Sequence, residues 1–124
     1  MKKSKFILDV AALIAMTLAV CLTLAQAQTQ MTDEEKIADA MSAGPISITQ
    51  DATILEWPSE PGGEFTVLRE GSNGWSCIAS APASLEKGLR DPTCEDEMWL
   101  ELDKAWLAGE EPTITRVGIS YMLS

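Results

Sequence analysis

The sequence contains no histidine. Catalytic arrangements that pair a serine or cysteine nucleophile with a histidine base are therefore excluded. Cysteines are also few, with 3 in 124 residues, and none of them forms the C-x-x-C motif of redox and zinc sites. The chain has no phosphate-binding loop and no dinucleotide-binding fingerprint. We therefore predict no catalytic residue, no metal site and no cofactor.

Basic residues are scarce, with 9 Lys and Arg against 19 Asp and Glu. Of these, Lys2, Lys3, Lys5 and Asp9 lie in the first 27 residues, so residues 28–124 carry a net charge of −12. A chain with this charge repels phosphate backbones, which excludes nucleic acid as the expected partner. We interpret the charge as a means of solubility, with a cationic partner or a metal ion as the alternative.

Long apolar runs are absent except near the N-terminus. There a basic start precedes the apolar residues 10–24, and Ala25 and Ala27 follow, which predicts a signal peptide over residues 1–27. The run is shorter than the roughly 20 residues of a membrane span, so no span is expected after cleavage. The predicted location is periplasmic or extracellular. A lipoprotein anchored through Cys21 is the alternative, because residues 18–21 partly match a lipobox.

Removal of the signal peptide leaves two cysteines, Cys77 and Cys94. An even pair in an oxidising compartment predicts one disulfide. The loop it closes is long enough for a stabilisation of about 3 kcal/mol. A redox-active or metal-binding pair is the alternative.

The first half of the chain predicts a short helix followed by strands. Thr32 and Glu35 form a capping box, and Gly44-Pro45 ends the helix. The Asn73-Gly74 pair between two strand-like runs predicts a hairpin. Strands are predicted at 46–49, 52–57, 64–70 and 75–79, which together suggest an antiparallel meander.

The second half predicts the main helix, from about Cys94 to Ala108, and a final strand. Leu100 and Leu107 lie on the side of the helix opposite its main apolar face, and could form a partner surface. We expect the main apolar face of the helix to pack on the sheet. This face consists of Met98, Trp99, Leu102, Ala105 and Trp106. Alternating residues predict a half-buried strand whose apolar side faces the helix, namely Val117, Ile119, Tyr121 and Leu123.

The predicted fold class is α+β: a small antiparallel sheet, a meander of four to five strands, with one main amphipathic helix packed on it and a short N-terminal helix. The predicted division is a signal peptide at 1–27, an N-terminal segment with the short helix at 28–45, and a single α+β domain at 46–124. A mature chain of this length supports one core.

Four tryptophans and a run of acids are the remaining candidates for a site. Tryptophans in a small domain usually supply its core, but Trp57 and Trp75 could instead be exposed and bind a flat ligand. The acids between Asp91 and Glu101 could hold calcium, although they lack EF-hand spacing. We interpret them as the acids that collect at a helix N-terminus, and we interpret Glu101 and Asp103, with Lys104, as a solvated face of that helix.

Three segments resemble a group of small exported bacterial proteins of uncharacterised activity. The segments are Leu68–Cys77 with N-G-W-x-C, Asp91–Trp99 with P-x-C-x-D, and Thr115–Leu123 with R-V-G-x-x-Y-M-L. The resemblance extends from about Ala43 onward and implies a folded exported domain. It implies no catalytic or binding residue.

The sequence therefore predicts a small exported, disulfide-stabilised domain that is non-catalytic and serves a binding or structural role. One alternative is a ligand-binding module that uses exposed tryptophans. Another is a subunit or inhibitor that acts on a protein partner through Leu100 and Leu107.

Overall fold

The computed structural model describes residues 30–123, which form a five-stranded sheet and four helices. In chain order the elements are α1 (Asp33–Ser42), α2 (Ile46–Thr49), β1 (Thr53–Glu56), β2 (Thr66–Arg69), β3 (Trp75–Ile78), α3 (Pro82–Leu85), β4 (Thr93–Asp96), α4 (Glu97–Ala108) and β5 (Ser120–Tyr121). The predicted signal peptide, including Cys21, lies outside the described residues. Within residues 30–123 no helix is both long enough and apolar enough to cross a membrane.

The sheet is mixed, with the strand order β2-β1-β3-β4-β5. The β1–β3 pair is parallel and the other three pairs are antiparallel. The predicted α+β class is confirmed, with α4 packed on the sheet and a short helix near the N-terminus. The predicted meander is wrong, because β1 lies between β2 and β3 and Asn73-Gly74 closes no hairpin. Ile54 and Leu55 are buried on opposite faces of β1, which requires an interior position in the sheet.

Gly71 allows the chain to cross from β2 to β3. The connection passes the start of β1, where the Ser72 N–H donates to the Asp51 carbonyl at 2.8 Å. A Cβ on Gly71 would lie 2.2 Å from backbone atoms of both Ala52 and Thr53. Backbone atoms inside a sheet cannot move away cheaply, so only glycine fits at this crossing.

The buried core lies between the sheet and α1. Ala40 of α1 and Ala43, the residue that caps the C-terminus of α1, pack in one cluster with Ile54, Cys77 and Cys94 of the sheet. Within the described residues, α1 and the strands belong to one compact unit. The division predicted at residue 45 stays a prediction. The capping box predicted for α1 is present.

The predicted disulfide joins Cys77 to Cys94. The two residues lie directly opposite each other in β3 and β4. Cys94, predicted to begin the main helix, is therefore a strand residue. The bridge links two neighbouring strands and does not attach the helix to the sheet.

The face of α4 that meets the sheet differs from the predicted one. Trp99 is 38% exposed and Trp106 is 73% exposed, whereas Leu100 and Leu107 are half-buried. The cause is the direct passage from β4 into α4: Asp96 ends the strand and its side chain also accepts the Trp99 N–H at 3.0 Å as the helix cap. The strand thus sets the rotation of the helix, which hydrophobic periodicity alone does not reveal.

The C-terminal strand is shorter than predicted, and only Ser120 and Tyr121 pair with β4. Val117 is 84% exposed, so the predicted packing of this segment's apolar side on the helix is wrong. The preceding residues pass beside α4, where a Cβ on Gly118 would lie 3.1 Å from the Trp99 nitrogen. The close approach of Gly118 to α4 takes the residues before Ile119 away from β4, while the Ile119 carbonyl still accepts the Asp96 N–H at 2.9 Å.

We expect Gly71→Ala to lower the free energy of unfolding by about 3 kcal/mol, because the added methyl overlaps backbone atoms of β1. Gly88→Ala is the matched control: its φ of 72° also disfavours alanine, but no atom lies within 4 Å of the new Cβ. That control should lose about 1 to 2 kcal/mol. Urea denaturation measures both. Equal losses would contradict the tight crossing.

Candidate ligand-binding groove

A groove of about 600 Å³ lies between α4 and the sheet, next to the loop that joins β1 to β2. Strand alternation places it on the face opposite α1, because Ser76 lines the groove while the neighbouring Cys77 packs in the α1 core. Its volume falls in the range of sites that hold small molecules, roughly 300 to 1,000 Å³. The groove therefore has the dimensions of a small-molecule site.

The walls of the groove are mainly apolar. The sheet side contributes Leu55 and Val67, the loop contributes Phe65, and α4 contributes Leu100 and Leu107. Polar groups are fewer and stand apart: the hydroxyls of Thr53 and Ser76, the carboxylate of Glu64 and the ammonium of Lys104. Such a surface suits an apolar body with one or two polar groups.

The structure separates the two tryptophans that were predicted as ligand-binding residues. Trp57 lies near the groove, since its ring centroid is 5.2 Å from that of Phe65, which lines it. Trp75 packs instead against Tyr121, with ring centroids 5.6 Å apart, beside the core under α1. Trp57 and Trp75 therefore do not form one aromatic site.

Leu100 and Leu107, predicted as a partner surface, come together on one wall of the groove. Both side chains are half-buried and line the hollow between the helix and the sheet. Their role as a partner surface stays a prediction. The sequence predicted that the two leucines lie on one side of the helix, but it did not predict the groove that they line.

A pair of acids lies between β4 and α4 on the same face of the sheet: Glu95, which is buried, and Asp103, which is half-buried. Glu95 is 1% exposed and lies opposite Ser76, which lines the groove. Burial raises the pKa of Glu95 to about 7, and the negative charge of the nearby Asp103 carboxylate contributes to this rise. Burial also raises the pKa of Asp103, which lies on α4 between Leu100 and Leu107.

Sequence reasoning missed this pair. It assigned Glu95 to the first turn of a helix and Asp103 to a solvated side, whereas Glu95 is a strand residue with one side-chain oxygen that has no hydrogen-bond partner among the described residues. Strand alternation could have revealed the position of Glu95. If Cys94 faces the core through its disulfide, then Glu95, the next residue, must face the other side of the sheet.

The residues that line the groove are mainly apolar. Glu95 is buried and is not among them. Within residues 30–123 no group of three or more acids and cysteines is placed to hold a metal ion. The arrangement therefore provides shape and apolar contact.

No protein-family model, curated protein or solved structure matches the chain. The resemblance to small exported bacterial proteins therefore stays a prediction. The functional argument rests on the groove, the acid pair and the surface of the described residues.

We expect the stability of the protein to fall as the pH rises from about 5 to about 8. A carboxyl whose pKa is raised in the folded state contributes stability that is complete below its ordinary pKa of 4.5 and is lost as the pH passes through about 7. The loss is roughly 3 kcal/mol at most, by the usual conversion of a pKa shift. Urea melts of the wild type across this range measure it.

Glu95→Gln should flatten this pH dependence, because the amide keeps the shape of the side chain and does not ionise. Glu97→Gln is the matched control, because Glu97 lies two residues further along the chain, at the start of α4, and is exposed. It should keep the wild-type slope. A Glu95→Gln variant with an unchanged slope would show that Glu95 is not the group responsible.

Proposed function

We propose that this protein is an exported, disulfide-stabilised, non-catalytic binding protein that holds a small apolar ligand in the groove between α4 and the sheet. The observation that carries the proposal is the groove itself: a volume of about 600 Å³ with Leu55, Phe65, Val67, Leu100 and Leu107 around it. Open apolar surface of this kind is costly in water and usually serves a ligand or partner.

The charge of the chain limits the ligand. Glu64 and Lys104 are the only ionised side chains along the groove, and their charges oppose each other. The Lys104 ammonium is also 3.1 Å from the Glu101 carboxylate, which reduces its attraction for an anion. With a net charge of −12 on residues 28–124, the surrounding field favours a neutral or cationic ligand over an anionic one.

Export is supported by two independent features. Residues 1–27 carry the pattern of a signal peptide, and the two remaining cysteines form a disulfide, which persists in oxidising compartments. Together they favour the periplasm or the extracellular space.

The ligand proposal is tested with two probes of nearly the same ring structure. N-phenyl-naphthylamine is neutral, and anilinonaphthalene sulfonate is anionic; both gain fluorescence in apolar sites. We expect the neutral probe to bind at one saturable site and the anionic probe to bind at least tenfold more weakly. Tenfold corresponds to about 1.4 kcal/mol.

Val67→Asp should weaken binding of the neutral probe at least tenfold, because it places a carboxylate on the wall of the groove. Val67 is 49% exposed, so the fold should persist, which circular dichroism checks. Leu89→Asp is the control, an exposed apolar residue that does not line the groove. Equal binding by the two variants, or no saturable binding by the wild type, would overturn the proposal.

The export proposal has its own test. The intact mass of protein recovered from the exported fraction should correspond to a chain that begins at Gln28 and lacks two hydrogens, as the disulfide requires. Thiol labelling in denaturant should find no free thiol. A lipid-bearing chain that begins at Cys21, or two reactive thiols, would contradict this account.

A further inference from the structure

We propose that two copies of this chain pair through the β5 edges of their sheets, antiparallel and centred on Ser120. The proposal concerns the edge of the sheet and does not depend on the groove. It rests on the exposed apolar residues beside β5, on the lack of acids there, and on the direction of the backbone groups.

Half of the exposed large hydrophobic residues in the described part of the chain lie in the segment that leads into and includes β5. Ten large hydrophobic residues are exposed in all, and five of them lie between positions 114 and 123: Ile114, Val117, Ile119, Met122 and Leu123. Residues 117–123 also alternate as a strand does, yet only Ser120 and Tyr121 pair with β4. A strand-forming segment with exposed apolar residues and one unpaired side offers a template for another strand.

The two edges of the sheet differ in charge. The edge strand β2 ends in Arg69 and is flanked by Glu64 and Glu70, and charges of this kind keep other strands away. Residues 112–123 contain no acid, and their one base, Arg116, is bound to the Asp96 carboxylate at 2.5 Å. Two copies of this acidic chain can therefore approach at β5 without acids facing acids.

The backbone of β5 is oriented for pairing. The Asp96 N–H donates to the Ile119 carbonyl at 2.9 Å, which turns Ile119 toward β4. In an antiparallel ladder the next residue points its N–H and C=O the other way, so those of Ser120 face outward. The Leu123 N–H donates inward to the Ala43 carbonyl at 3.0 Å, so by the same alternation the backbone groups of Met122 face outward. Two such edges related by a two-fold axis at Ser120 complement each other.

The side chains also match in this register. Gly118 lies opposite Met122 of the second copy, and Met122 is 62% exposed in the single chain. Val117 lies opposite Leu123 of the second copy, and both are exposed in the single chain. The same patch serves both copies, as a two-fold interface requires. A second copy thus fits the edge in shape and charge.

Sedimentation of residues 28–124 over a range of concentrations tests the proposal. We expect a dimer that dissociates on dilution. Ser120→Pro should give a folded monomer, because it removes an N–H that faces away from β4. A wild type that stays monomeric at every concentration would overturn the proposal and leave the edge to a strand from a different protein.

Two exposed positions test the register even if Ser120→Pro fails to fold. Val117→Lys and Leu123→Glu should each weaken the dimer about tenfold, and the double variant should recover most of that loss, because positions 117 and 123 face each other only between copies. Leu89→Lys, in an exposed loop, is the control and should leave the dimer unchanged. A dimer insensitive to all three edge changes, or no recovery in the double variant, would overturn this pairing.

Discussion

The Cys77–Cys94 pairing sets the register on which the rest of the structure depends. Because the two cysteines lie opposite each other in β3 and β4, Ser76 must lie opposite Glu95 and Trp75 opposite Asp96. Alternation then turns the disulfide toward α1 and Glu95 toward α4. The two faces of the sheet therefore differ: one carries the buried core under α1, and the other carries the groove beside α4.

The residues of β4 and α4 explain why the face of the sheet beneath α4 stays open. Asp96 is both the last residue of the strand and the cap of the helix, so α4 leaves the sheet in a fixed direction. The side of α4 that meets the sheet carries Asp103 between two leucines, and the sheet beneath carries Glu95. Two carboxyl groups in this layer oppose close apolar packing. The face under α1 has small alanines against the disulfide and closes fully.

Local patterns predicted the parts of this fold that depend on neighbours in sequence. The capping box at Thr32, the end of α4 at Gly109 and the α+β class are of this kind, and the disulfide followed from the number of cysteines. The parallel β1–β3 pair was not predicted, because Asn73-Gly74 between two strand-like runs is typical of a hairpin. The strand order of the sheet goes with the burial of β1 on both faces, which depends on residues distant in sequence.

The candidate site was only partly visible in the sequence. Leu100 and Leu107 stood out as a second apolar line on α4, but their hollow is formed with Leu55, Phe65 and Val67 from distant segments. Glu95 was misassigned because an acid near a helix start usually stabilises the helix dipole. The exposure of Trp106 was missed for a related reason: periodicity identifies apolar stripes without showing which one meets the sheet.

The central claim is that the groove between α4 and the sheet binds a neutral apolar ligand. Titration of isotopically labelled protein with a neutral aromatic ring compound, followed through backbone amide chemical shifts, tests it most directly. The account predicts saturable shifts that cluster at Leu55, Val67, Leu100 and Leu107, with the amides of Trp75 and Tyr121 unchanged. Shifts confined to the core side of the sheet, or no saturable shift at all, would contradict it.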